Sequence, residues 1–194
     1  PIQWVNQHSQ NRKDVATLEE RTGASSELGI YITAQDPDHL LPDVTYKATG
    51  SDGAPCASAT YPALPTYVVG DGCYTQDEAT KMAAADESVR WLEDFTTDAL
   101  DRYQDKLLVA SSILSPLADL TDLDGASNVV PPSALVSASY EAAPPSIQKL
   151  TVTTDRKALN LLFITKPGDL QERAVMIEDM RDRFETATGD AAAK

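Results

Sequence analysis

Hydrophobic positions along this chain fall into a few distinct rhythms. Residues 27–34 are apolar almost without interruption, at Leu28, Ile30, Tyr31 and Ile32, and Asp36-Pro37 stops the run. Such a pattern predicts a strand that expects cover on both faces. Just before it, residues 8–22 predict a helix with Ser9 as its cap and Gly23 beyond its end. Val15 and Leu18 give that helix only a thin apolar stripe, so it belongs on a surface. Over residues 86–105 the apolar positions Val89, Leu92, Phe95, Ala99 and Tyr103 recur at spacings of three and four, and Trp91 and Leu100 widen the stripe. That is an amphipathic helix. Residues 106–113 read as a short strand. Two strand-like runs, 148–154 and 158–166, are separated by Asp155-Arg156-Lys157 and predict a hairpin. Residues 168–188 predict a helix capped by Asp169, with a stripe of Leu170, Ala174, Ile177, Met180 or Arg181, and Phe184.

Two stretches lack such order. Residues 43–84 hold Pro, Gly, Ser and Thr with little periodicity. They predict a long irregular insertion with one short strand at 66–69. Loops of this length are uncommon unless functional or cross-linked. Residues 115–147, rich in Pro, Ala and Ser, predict helical turns rather than sheet. In order, the elements give an α+β chain: strand–helix–strand followed by strand–strand–helix. This is most of a ferredoxin-like βαββαβ two-layer α/β sandwich whose closing strand is missing. One face of the sheet lies on the helices, and the other face or an edge is left for a partner.

Length and composition narrow the class. At 194 residues, with 42% hydrophobic and 24% charged residues, the chain is of ordinary globular make-up and long enough for a core without metal staples. Its net charge of −14 disfavours nucleic-acid phosphates and anionic membrane surfaces. The only cysteines, Cys56 and Cys73, lie within the irregular segment. A disulfide between them would close a loop of about 18 residues, worth about 3 kcal/mol in the chain-entropy model, and would indicate an oxidising compartment. Two reduced thiols are the alternative reading.

Candidate chemistry is sparse. His8 and His39 have no converging partners for a metal or a catalytic triad, and no CxxC spacing favours zinc. Ser111 and Ser112 sit in no Gly-x-Ser-x-Gly elbow. The acidic turn at 119–127 lacks the ligand spacing and sixth-position glycine of a calcium loop. There is no glycine-rich phosphate cradle. The residues therefore point away from an enzyme, and no cofactor or metal is expected.

Four blocks together resemble a known family. They are residues 7–36, with Ser26-Glu27-Leu28 leading the aliphatic strand; residues 87–120, with Trp91-Leu92, Lys106-Leu107-Leu108, Ser111-Ser112 and Ala118-Asp119-Leu120; residues 144–164, with the Asp155-Arg156 turn; and the helix at 169–184. In this order they resemble the extracytoplasmic porter domain of transporters of the resistance-nodulation-division (RND) superfamily, in the MmpL-like branch that exports lipids and hydrophobic compounds. The resemblance implies a ferredoxin-like porter domain, 1–194 being one such domain cut from a longer membrane transporter. Insertion 43–84 has no counterpart in the family pattern. The resemblance also implies placement on the extracytoplasmic side of the cell membrane, which predicts that Cys56 and Cys73 are joined. The implied partners are a companion porter subdomain, the membrane helices of the parent transporter, and a hydrophobic small molecule or lipid. Tyr31, Trp91, Phe95 and Tyr140 become the candidate ligand or interface positions. The charged residues that sense a proton gradient would lie in membrane helices, so this segment would bind or gate rather than pump. The alternative is a free-standing ferredoxin-like protein-interaction module that docks through the 43–84 segment.

Overall fold

The computed structural model describes residues 20–21, 23–24, 26–33, 40–58, 64–115, 131–153, 156 and 158–192. In chain order the elements are β1 (Ser26–Thr33), β2 (Ala57–Ser58), β3 (Thr66–Tyr67), α1 (Gln76–Arg102), β4 (Leu107–Ser111), α2 (Ser133–Ala142), α3 (Pro145–Thr151), β5 (Ala158–Thr165) and α4 (Leu170–Ala192). The class is α+β. A three-stranded sheet has the order β1-β5-β4, and β2 pairs antiparallel with β3 in a separate two-stranded sheet.

The strand with cover on both faces is β5, not β1. In β5, Ala158, Leu159, Leu161, Phe163 and Thr165 are buried, and Asn160, Leu162 and Ile164 are half-buried. The apolar run in β1 instead forms a sheet edge. Only Ile32 is buried, Leu28 and Ile30 are half-buried, and Tyr31 is 68% exposed. Among the described residues β1 is covered on one face only: Glu27, Gly29, Tyr31 and Thr33 occupy an exposed face.

Three more expectations change. α1 starts at Gln76, ten residues before 86, because Thr75 and Glu78 form a reciprocal cap and an alanine-rich turn follows. The Thr75 N–H donates to Glu78 Oε2 at 2.7 Å, and the Glu78 N–H donates to Thr75 Oγ1 at 3.2 Å. The helix thus takes over the last part of the 43–84 segment.

The expected hairpin is a helix–turn–strand. Pro144 and Pro145 start α3, which continues to Thr151 and overrides the strand-like alternation of 148–151. Across the turn Val152 pairs with Leu159, and the Thr153 N–H donates to the Ala158 carbonyl at 3.0 Å. Arg156 supplies the turn at φ 57°, where its N–H donates to the Thr153 carbonyl.

In α4 the Asp169 cap is present, its Oδ1 accepting from the Gln171 N–H at 2.7 Å. Its buried side is Arg173, Met176 and Met180, whereas Leu170 and Ile177 are 59% and 44% exposed. Of the expected stripe Met180 packs inward, whereas Leu170, Ala174 and Ile177 are exposed and Arg173 and Met176 take their place on the buried side. Helix 8–22 is described only at 20–21, followed by Gly23 at φ 68°; Ser9, His8, His39 and the acidic turn at 119–127 lie outside the described residues.

The chain divides into two compact units. One comprises Pro1–Leu28, Thr97–Ala110 and Phe163–Lys194. Within it Arg173, 9% exposed, reaches from α4 to the start of β1 and the end of β5. Its Nη1 donates to Ser26 Oγ at 2.8 Å and its Nη2 to the Lys166 carbonyl at 2.7 Å. Thr165 Oγ1 closes the same knot on the Ser26 carbonyl at 3.0 Å. Nearby, Arg183 pairs with Asp98, and the Tyr103 hydroxyl donates to Asp179. These contacts tie α4 to the last turn of α1. Burial, and after it the Asp179 carboxylate, push the Tyr103 hydroxyl up to about 12. The other unit comprises Gly29–Thr96 and Ser111–Leu162 and carries the features described next.

Candidate functional site

Residues 44–75 are a built lobe rather than a loose excursion. Cys56 and Cys73 are joined by a disulfide. They belong to a buried cluster with Val44, Tyr74, Met82 and Ala134, against which Tyr46 and Tyr67 pack. The backbone approach is close. A Cβ on Gly50 would stand 2.6 Å from the Asp71 carbonyl and 2.9 Å from Cys73 Sγ, so only glycine fits there. Tyr74 is 2% exposed, its ring edge-on to Tyr67 at 5.6 Å, and its hydroxyl both accepts from the Lys47 N–H and donates to the Lys47 carbonyl. Lys47 spans the lobe's rim. Its Nζ donates to the Cys73 carbonyl at 2.5 Å, lies 5.3 Å from the centre of the Tyr74 ring, and stands 3.8 Å from Glu78 of the α1 cap. The Thr75 N–H and hydroxyl, and then Lys47, hold Glu78 below the usual carboxylate range.

Beneath the lobe lies the most unusual residue of this unit. Asp86 is fully buried on the inward stripe of α1, between Met82, Ala85 and Val89. Its Oδ2 accepts from the Tyr67 hydroxyl at 2.6 Å and its Oδ1 from the Ser133 N–H at 2.7 Å. Ser133 Oγ in turn donates to the Met82 carbonyl at 3.0 Å. The geometry has a clear cause. Helix α2 begins after Pro132, a cap position with no side-chain hydrogen bond to give. Its first N–H would be orphaned in the interior. Asp86 supplies the missing acceptor from another helix, and its charge also suits the positive end of the α2 dipole. Burial raises the Asp86 carboxyl above its ordinary range, and the Tyr67 and Ser133 bonds partly oppose that. Burial, reinforced by Asp86, drives the Tyr67 hydroxyl far above its usual value. Both carboxylate oxygens are engaged, so Asp86 acts as a clamp joining β3, α1 and α2.

The four aromatic positions expected at a ligand or partner surface are placed differently from one another. Trp91 and Phe95, one turn apart on α1, stack with ring centroids 5.2 Å apart and planes at 16°, both half-buried. Tyr140 is half-buried on α2, with the Arg156 guanidinium 5.6 Å from its ring centre, and Arg156 also pairs with Glu141. That contact fastens the turn at Arg156 to α2. Tyr31 alone of the four is strongly exposed.

No motif in the sequence marks Asp86, Tyr67, Ser133 or Lys47, and the mixed charges of 172–183 suggest a solvated helix face for Arg173, which is instead buried. Two of them carried a readable signal. Asp86 falls at the helical spacing of Met82 and Val89, and Arg173 at that of Met176 and Met180, so each is a charge on an apolar stripe. Among the described residues no three His, Cys, Asp or Glu side chains converge as metal ligands would, and no helix is long and apolar enough to cross a membrane. No protein-family model, curated protein or solved structure matches this chain.

Proposed function

We propose that this chain is an extracytoplasmic porter domain of a proton-driven RND-type exporter of lipids or other hydrophobic compounds, and that it contributes to substrate binding or gating. The observation that carries this reading is the strand order β1-β5-β4, with α1 between β1 and β4 in the chain and α4 after β5. In a split βαββαβ sheet the first strand lies beside the third and the third beside the second. The order β1-β5-β4 follows that rule, and among the described residues no strand lies on the other side of β1. The joined cysteines favour an oxidising compartment, as extracytoplasmic placement requires. Porter function would then rest on alternating exposure of a cleft between companion subdomains, driven by distant membrane helices. The test is the reading frame around the segment encoding residues 1–194. Apolar runs of about 20 residues in the flanking sequence are expected. A start codon immediately upstream with a stop codon immediately downstream would refute the transporter.

That second result would favour a free-standing ferredoxin-like interaction module. The observation on its side is Val68 and Val69, 42% and 48% exposed beside the Gly70–Gly72 turn of the disulfide-closed lobe. Substituting both valines with Ser would then abolish capture of its partner while leaving the fold intact.

A further inference from the structure

We propose that β1 pairs with β1 of a second copy of this chain, antiparallel and centred on Ile30, so that the two three-stranded sheets join edge to edge. The inference does not depend on the transporter reading. β1 is the terminal strand of the three-stranded sheet, and its second edge has no strand partner among the described residues. Natural edge strands are usually blunted by proline, lysine, bulges or short length. Here eight residues, Ser26 to Thr33, run without proline or lysine and with a single charge, Glu27. An unguarded edge of this length is a template for another strand, through main-chain hydrogen bonds alone.

The sequence of β1 selects which strand. In an antiparallel pair, directly opposed residues point to the same face, so a self-pairing must match odd positions with odd and even with even. The register centred on Ile30 sets Ile30 against Ile30 and Leu28 against Ile32 on the half-buried face. On the exposed face it sets Tyr31 against Gly29 and Glu27 against Thr33, each twice by symmetry. The 68% exposed Tyr31 ring then lies over the bare α-carbon of the second copy's glycine, the aromatic-over-glycine pairing known to stabilise strands. A Cβ at Gly29 would find only Asn160 Oδ1 at 3.6 Å and Leu162 Cδ1 at 4.0 Å, so the space above it is free to receive a ring. Neither Glu27 faces the other, which removes the like-charge penalty that a net charge of −14 would otherwise threaten. A twofold axis perpendicular to the sheet generates this arrangement as a closed, isologous dimer.

The test is cross-linking of the full chain carrying Glu27→Cys together with Thr33→Cys. These positions are about 20 Å apart within one strand, too far to bond internally. Oxidation is expected to give a covalent dimer that reductant reverses. Glu27→Cys alone is expected to give no covalent dimer, since the two introduced thiols lie at opposite ends of the strand pair. Sedimentation of the unmodified chain should show a dimer, and Tyr31→Lys should weaken it about tenfold or more. Because Glu27, Tyr31 and Thr33 are exposed, these changes leave the core intact, and a native circular dichroism spectrum checks this. A chain monomeric at all concentrations overturns the proposal, as does cross-linking of the single variant as efficiently as the double.

Discussion

Replacing Asp86 with Ala tests whether the lobe, α1 and α2 are held by one buried carboxylate. The substitution removes two hydrogen bonds to a charged acceptor, from Tyr67 at 2.6 Å and Ser133 at 2.7 Å. It also strands both donors in the interior, at a cost of about 1–3 kcal/mol each. Relief of the buried carboxylate's own desolvation offsets part of this. The net loss expected is about 2–5 kcal/mol, weighted toward the lower half by that relief. With a urea slope of about 2 kcal/mol per molar for a chain of this size, the unfolding midpoint falls by about 1–2 M. Asp86→Asn keeps a carbonyl for the Ser133 N–H and forces only the Tyr67 hydroxyl to turn, so its cost should be about 1 kcal/mol. Urea titration followed by far-UV circular dichroism reads both. An Asp86→Ala midpoint within error of the unmodified chain would refute the clamp.

The remaining expectations concern pH, the disulfide, the buried guanidinium and the α1 cap. The folded carboxyl of Asp86 is raised above its unfolded value, chiefly by burial, so the folded state binds this proton more tightly than the unfolded state does. Its stabilising contribution is fully present below the unfolded pKa and is lost as pH rises through the folded one. Asn cannot titrate, so the stability of the unmodified chain minus that of Asp86→Asn should grow on acidification. Carboxyls shifted downward, such as Glu78 and Asp98, oppose this trend in each protein alone but cancel in the difference. A difference that shrinks as pH falls would show that Asp86 is stabilised as the anion. Thiol titration of unreduced, denatured protein should find no free thiol, and replacing Cys56 and Cys73 with Ser should cost about 3 kcal/mol by thermal or urea melting. Arg173→Met should cost about 2–4 kcal/mol, because Ser26 Oγ and the Lys166 carbonyl lose a charged donor; Arg173→Lys, unable to reach both acceptors, should recover less than half of that. Thr75→Ala should cost about 1 kcal/mol by removing one side of the α1 capping box, with the loss seen as reduced helicity before the main transition.

The helices and strands legible in the sequence are those whose pattern and packing agree. The α1 stripe from Val89 through Leu92 to Ala99 is buried as its spacing requires. β4, the short β3 at Thr66–Tyr67 and the Asp169 cap also follow from local chemistry. The failures share a cause: tertiary context decided between two locally acceptable states. Residues 148–151 have strand-like composition, but two prolines set the helical φ at the start of α3 and the chain continued in it. In α4, Leu170 and Ile177 make a stripe hydrophobic enough to suggest burial. The helix nevertheless turns Arg173, Met176 and Met180 inward, because Arg173 satisfies acceptors at the start of β1 and just past β5. No count of apolar residues anticipates a buried guanidinium. The Asp86 clamp was hidden for a related reason, since its partners lie 19 and 47 residues away in sequence.

The lobe at 44–75 bears on both functional readings in one way: it is not a detachable insertion. A leash of Pro, Gly and Ser tied by one disulfide would leave the domain's core unchanged if removed. Here the lobe contributes Val44, both cysteines and Tyr74 to a cluster shared with Met82 of α1 and Ala134 of α2. It also provides the Tyr67 hydroxyl that occupies half of the Asp86 carboxylate. A Cβ on Gly50 would stand 2.6 Å from the Asp71 carbonyl, to which the Ser51 N–H donates at 2.7 Å, so the lobe's two limbs meet through backbone as well as through the disulfide. A surface carried on such a lobe is preorganised, and ordering it adds little to the entropic cost of docking. Motion at Val68 and Val69 would then have to travel with α1 and α2, through the Asp86 clamp, rather than arise in the lobe by itself. Whichever partner this face meets, it meets a rigid one.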